Sequence, residues 1–174
     1  MQQLDENLET IKQAPSSAGT IELIVRRPQT GEREILEEAQ LDTAEGLVGD
    51  NWKARGYKKG EANTDMQINI MNVRATAAIE KDQTRWPLAG DQFYVDFDIS
   101  KHNLPPGTRI QLGEAQLEVT AEPHLGCKKF SERFGQDATL WVNSDEGKAL
   151  NLRGINAKVI QNGKVCVGDK IVKM

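Results

Sequence analysis

The C-terminal end of the chain constrains the fold most. Three short runs rich in branched residues, Ala157 to Gln161, Lys164 to Val167 and Lys170 to Lys173, are separated by Asn162-Gly163 and Gly168-Asp169. Asn-Gly between two such runs is the strongest short-range hairpin signal, because both residues tolerate the positive φ of a tight type I′ turn. The spacing therefore predicts a C-terminal hairpin and a sheet around it. The same logic extends upstream. Arg109 to Leu112 and Ala115 to Thr120 flank a reversal at Gly113-Glu114, and Ile21 to Arg27 and Arg33 to Leu41 flank the turn Pro28-Gln29-Thr30-Gly31. Met66 to Met71 and Phe93 to Ile99 alternate in strand fashion. Many short strands and few long helices predict a mainly β protein, a barrel or sandwich carrying short helical insertions.

The insertions are also readable. Asn72 is placed to cap a helix over Val73 to Lys81 that Trp86-Pro87 ends, and Ala138 to Asn143 reads as a short helix or irregular segment. Residues 1–18 are polar, with one weak apolar face from Leu4, Leu8 and Ile11, and read as an N-terminal extension. The remainder, 19–174, reads as one domain, since 174 residues suffice for a single core and are few for two. The long connection from Leu47 to Asp65 has the length of a functional loop. With a net charge of -4 the chain has no global attraction to nucleic acid or an anionic membrane, so any basic site must be local. No apolar run approaches a membrane span, and Met1 to Ser17 lacks the pattern of a secretory signal, so a cytoplasmic protein is expected.

One stretch carries the chemistry. In Ala121-Glu122-Pro123-His124-Leu125-Gly126-Cys127-Lys128-Lys129-Phe130, Pro123 and Gly126 end a strand, and Lys128 to Phe134 reads as a short helix stopped by Gly135. Cys127 falls at the helix start, where backbone N–H groups and two lysines favour the thiolate, the form that attacks electrophiles and binds soft metals. The alternative is a small buried hydrophobe. Cys166, between Val165 and Val167 in a strand, fits that packing role better. Both cysteines are expected as free thiols in a reducing compartment.

His124 lies three residues before Cys127, but two cysteines and two histidines in all make a poor set for structural zinc. A hydrogen-bonding or acid–base role suits His124 better. Arg153-Gly154 suits recognition of a phosphate or carboxylate, or is simply a surface turn. Gly46-Leu47-Val48-Gly49-Asp50 matches neither nucleotide-binding glycine pattern.

Taken in order, Gly46 to Asp50, the strand Gln67 to Met71, Leu104-Pro105-Pro106-Gly107, Leu112 to Ala115 with Leu117 to Thr120, Cys127, and Arg153-Gly154 through Gly168-Asp169 resemble the MOSC domain, the C-terminal module of molybdenum cofactor sulfurases. The resemblance spans about 19–174. It implies a MOSC-type β-barrel, a pocket for the pterin-based molybdenum cofactor, and a cysteine that binds molybdenum or carries sulfur, matched here by Cys127. On that basis Cys127 is the candidate metal ligand, and Cys127 and His124 are the candidate catalytic residues. Arg153, Gly154, Asn156, Lys128, Asn69 and Asn143 are the candidate cofactor-binding residues. The implied activity is reduction of an N-hydroxylated or N-oxygenated small molecule. Two cysteines cannot ligate an iron–sulfur cluster that takes four, and no dinucleotide fingerprint is present, so electrons would come from a partner flavin or iron–sulfur reductase. Two further readings stay open. One is a carrier that accepts sulfur from a donor as a Cys127 persulfide or holds the cofactor for another enzyme; the other is an interaction domain without retained cofactor.

Overall fold

The strand signals of the sequence are met in the structure, but several strands pair with distant partners rather than with their neighbours. The computed structural model describes residues 2–56 and 60–174. The chain begins with α1 (Gln2–Asp5), α2 (Leu8–Lys12), β1 (Ala18–Arg26), β2 (Glu34–Leu36), β3 (Glu38–Asp42), β4 (Gly46–Leu47) and α3 (Trp52–Arg55). A 3-10 turn (Thr64–Met66) precedes β5 (Ile68–Asn72) and α4 (Val73–Ile79), and a second (Gln83–Ala89) precedes β6 (Phe93–Asp96), β7 (Arg109–Leu112) and β8 (Ala115–Val119). Helices α5 (Lys128–Phe134), α6 (Gln136–Val142) and α7 (Asp145–Ala149) lead to β9 (Ile155–Gln161), β10 (Gly163–Cys166) and β11 (Lys170–Lys173). Met1 and residues 57–59 of the long connection lie outside the described residues.

Seven strands close a barrel. Strand β1 pairs with β6 and β11, and the ring continues through β7, β8, β9 and β5 back to β6. Strand β2 extends β1 outside the ring, while β10, β3 and β4 form a separate three-stranded sheet. The reversal at Gly113-Glu114 joins β7 to β8 as expected. The expected Asn162-Gly163 hairpin is overturned. Strand β9 pairs with β8 and β5, whereas β10 crosses to β3, with Val165 opposite Ala39. Gly163 does not adopt the positive φ of a hairpin turn. Its requirement is close approach, since a Cβ there would lie 2.4 Å from the backbone N of Ala115. Asn162 instead ties the two sheets together, donating to Asp42 Oδ2 at 2.6 Å and accepting from Thr43 N at 2.8 Å. The run Arg33 to Leu41 likewise divides: Glu34–Leu36 pairs with β1 and Glu38–Asp42 with β10.

Two apolar layers hold this frame. Ile21, Ile24, Ile68, Ile70, Phe93, Val95, Leu117 and Ile171 fill the barrel. Ile11, Val25, Met71, Tyr94, Phe130, Trp141 and Leu152 lie between its wall and the helices. Strands β5 and β6, the parallel pair, are buried on both faces, as parallel strands flanked by helices are. Asn72 starts α4 by accepting from the N–H groups of Arg74 and Ala75, a cap worth about 1 kcal/mol. The N-terminal extension docks on the helical side, where Ile11 is buried and Asp5 Oδ1 accepts from Trp141 Nε1 at 3.0 Å. Among the described residues no helix is long and apolar enough to cross a membrane.

Candidate functional site

Cys127 is placed by a side-chain clamp on the residue before it and by the start of α5. Gly126 is clamped by both amide atoms of Asn143, whose Oδ1 accepts from Gly126 N and whose Nδ2 donates to Gly126 O, each at 2.9 Å. The chain leaves this clamp extended, and Cys127 forms the N-cap of α5, its carbonyl taking the N–H of Ser131 at 3.0 Å. The thiol is exposed, whereas Cys166 is half-buried.

The thiol opens into a cleft of about 480 Å³. The walls come from six parts of the chain: the turn after β1, α3 with the residues beside it, the first 3-10 turn with β5, the end of the second 3-10 turn, the Cys127 segment with α5, and Arg153 before β9. Arg27, Arg33, Arg55, Lys129, Arg133 and Arg153 line it, and no carboxylate does so among the described residues. In a chain of net charge -4 this is a local reversal of sign.

The six cations fall into two sets. Arg27 and Arg153 are buried and paired. Arg27 grips Asp50 through Nε and Nη2, both at 2.8 Å, and its Nη1 donates to Asn69 Oδ1 and Gly90 O. Asn69 Nδ2 in turn donates to Asn156 Oδ1 at 2.6 Å, and Asn156 Nδ2 reaches Glu122 O at 3.1 Å, which anchors the segment before Cys127. Arg153 donates to Asp91 Oδ2 at 2.6 Å and to Ala89 O at 2.8 Å, and its guanidinium carbon sits 4.9 Å from the centre of the Phe130 ring. The other four have no carboxylate partner among the described residues. Arg33 and Arg133 donate only to backbone carbonyls, Arg33 to Pro87 and Glu32 and Arg133 to Leu88. Burial, then repulsion from Arg133 and Arg27, lowers the Arg33 pKa. Arg55 and Lys129 are exposed at the rim.

His124 lines the same cleft with its side chain 14% exposed. Burial, then the charge of Arg153, pushes its pKa down to about 3, with Asp91 opposing and Arg27 assisting the shift. The ring is therefore neutral near pH 7, and its 3.4 Å approach to Asp91 is a neutral imidazole beside a carboxylate rather than an ion pair.

The structure thus gathers Cys127, His124, Arg153 and Asn69 on one cleft. Gly154, with φ of 112°, supports them from below, and Asn156 and Asn143 brace the segment around Cys127. Lys128 does not line the cleft: its side chain is 90% exposed and lies 3.9 Å from Glu132. Lys129 takes the position at the cleft that the sequence reading gave to Lys128. Arg27, Arg33, Arg55, Arg133 and Asp91 were not anticipated. Among the described residues no group of three or more His, Cys, Asp or Glu side chains is placed to hold a metal ion, so a protein-only metal cage is not built here.

A small β-barrel with a cationic, thiol-bearing cleft on its side is the class that fold and site define. Residues 57–172 match the MOSC domain family model, and the chain belongs to that family, which is associated with molybdenum cofactor binding. Among solved structures, YuaD from Bacillus subtilis superposes with a TM-score of 0.60 at 19% identity, covering 88% of this chain and 94% of that one. YiiM from Escherichia coli gives 0.58 at 21%, covering 89% and 69%. YiiM from Geobacillus stearothermophilus gives 0.54 at 13%, covering 91% and 73%. At these identities the likeness is one of fold. No curated protein matches the sequence.

The residues of the cleft fit the cofactor associated with this family. The exposed Cys127 thiol could give a cofactor-held metal one sulfur ligand, so no protein cage would be required. Four cations without a carboxylate partner among the described residues are suited to a phosphate.

Proposed function

We propose that the cleft binds the pterin-based molybdenum cofactor through Cys127 and the four cations that lack a described carboxylate partner, and that the protein reduces N-hydroxylated or otherwise N-oxygenated small molecules with electrons from a separate reductase. The observation that carries this reading is an exposed thiol in a cleft lined by six cations and no described carboxylate. When bound, the cofactor supplies two-electron redox chemistry. The chain's own part is to hold and orient. Cys127 offers the metal a sulfur ligand on a backbone fixed by Asn143. Arg33, Arg133, Arg55 and Lys129 hold the phosphate, a role the sequence reading gave to Arg153, whose guanidinium is engaged by Asp91 and Ala89 O. Trp52 and Phe130 give the cleft apolar wall for a flat ring system.

Protein purified from cells that make the cofactor is expected to contain molybdenum and pterin in stoichiometric amounts, and Cys127→Ala is expected to lose both. The loaded protein should be inert with NADH and an N-hydroxylated substrate alone, and should turn over once a flavin or iron–sulfur reductase, or reduced viologen, is added. Absence of the metal with a sulfurated Cys127 would support the carrier reading instead. An unmodified thiol with neither metal nor pterin would support an interaction domain.

A further inference from the structure

Among the described residues, four buried side-chain polar atoms have no hydrogen-bond partner, and three of them belong to one cluster of neighbouring residues behind the cleft wall: Asp91 Oδ1, His124 Nδ1 and Arg153 Nε. Such atoms are costly and uncommon, so a cluster of three needs an explanation. Asp91 is fully buried, and its Oδ2 is held by Arg153. Arg153 is itself fixed by Ala89 O and by the Phe130 ring. The carboxylate is therefore locked in orientation, with Oδ1 left 3.4 Å from His124 Nδ1. Gly154 makes the arrangement feasible. A Cβ at that position would lie 3.1 Å from His124 Nδ1 and 3.2 Å from Asp91 Oδ1, wedged against both.

A carboxylate oxygen only accepts, and a neutral imidazole has one donor and one acceptor nitrogen. If Nδ1 carried the lone pair, it would face Asp91 Oδ1 as a second acceptor in a dry site, and Arg153 Nε, the one orphan donor nearby, is not bonded to it, the guanidinium being turned to Asp91 Oδ2 and Ala89 O. The ring is neutral here, because burial and Arg153 hold its pKa far below 7. Nδ1 is sealed from solvent, whereas Nε2 is not among the sealed, unpartnered atoms, which leaves it as the nitrogen open to the cleft that His124 lines. We propose that Asp91 is a positioning residue that holds His124 as its Nδ1–H tautomer, so that Nε2 presents a fixed acceptor to the cleft and selects a ligand that offers an O–H or N–H donor. The orientation of an imidazole by a buried carboxylate on its far nitrogen is a general device for fixing a tautomer. The choice of substrate class rests on the proposed function, because an N-hydroxyl group is such a donor. The tautomer belongs to the protein itself.

The two parts are tested separately. Only two histidines are present, His102 exposed and His124 in the cleft, so His102→Gln assigns the spectrum. Long-range proton–nitrogen NMR of the labelled protein near neutral pH should show His124 protonated at Nδ1 and bare at Nε2. A ring protonated at Nε2, or on both nitrogens, overturns the proposal. In Asp91→Asn the tautomer preference should weaken or invert; should that variant unfold, the wild-type spectrum still decides. In loaded protein an O-methylated analogue, which lacks the donor, should lose roughly tenfold or more in kcat/KM against its N-hydroxyl parent, and His124→Phe should abolish the discrimination. Equal rates for parent and analogue in the wild type, with the metal bound and turnover normal, would overturn the recognition role while leaving the proposed function standing.

Discussion

Two kinds of arginine line one cleft, and they differ in what removing them should do. Arg27 and Arg153 are at least nine-tenths buried and each holds an aspartate whose side chain is fully buried, Asp50 or Asp91. Arg33 and Arg133 stand on the same walls yet touch only carbonyls, and Arg33 feels net repulsion from the cations around it. The first kind is part of the frame. It joins the end of β1 to the Asp50 loop and the 3-10 turn before β6 to the segment before β9. The second kind is held near its neighbours by that frame without being neutralised by it. A cleft of this kind gathers like charges that the fold does not neutralise, and that separates these cations from the paired ones of the same type.

The largest expected effect tests the frame. Arg153→Ala or Arg27→Ala leaves a buried carboxylate unpaired and should destabilise the fold by about 3–5 kcal/mol in urea titrations. A loss below about 1 kcal/mol would show that these pairs are not structural.

The next effect is one of pH. The folded pKa of His124, about 3, lies below its ordinary value of 6.5, so the unfolded chain takes up a proton that the folded chain refuses. Its contribution is intact above about pH 6.5 and is lost progressively as pH falls toward 3, with a limiting slope of about 1.4 kcal/mol per pH unit. Stability measured against pH should therefore be flatter over this window in His124→Gln than in the wild type. Parallel curves would mean that His124 titrates normally.

How much of this was legible from sequence depends on how local each signal is. The α5 boundaries, the Asn72 cap and the Gly113-Glu114 reversal were all readable, because capping and turn residues act over three or four positions. Cys127 was readable for the same reason. The partner of β10 was not. Asn162-Gly163 carries every local mark of a hairpin, and only the close passage of Gly163 against Ala115, a tertiary contact, sends the strand elsewhere. The cations were hidden in the same way. Arg27, Arg33, Arg55 and Arg133 are scattered through more than half of the chain, and each alone reads as a surface charge. Lys128 and Lys129 are adjacent in sequence, yet the turn of the helix puts only Lys129 on the cleft. For Asp91 the one available signal was an acid between Gly90 and Gln92 directly before a buried strand.

A smaller effect sharpens the comparison from the other side. Replacing Arg33 and Arg133 together by Gln should change stability by less than about 1 kcal/mol, or raise it, while weakening retention of the cofactor by roughly tenfold or more. Loss of folding with unchanged retention would reverse the assignment of the two sets. The smallest expected effect concerns the two thiols. Peptide mass spectrometry after brief alkylation should label the exposed Cys127 ahead of the half-buried Cys166, and equal labelling would count against a cleft built to present one of them.

Molybdenum-edge X-ray absorption of the loaded protein tests most directly the proposed ligation of the metal by the Cys127 sulfur. Wild-type protein should show one more sulfur neighbour around molybdenum than Cys127→Ser, in which an oxygen takes its place. Identical sulfur shells in the two proteins, or wild-type protein that holds no molybdenum when expressed with the cofactor available, would contradict it.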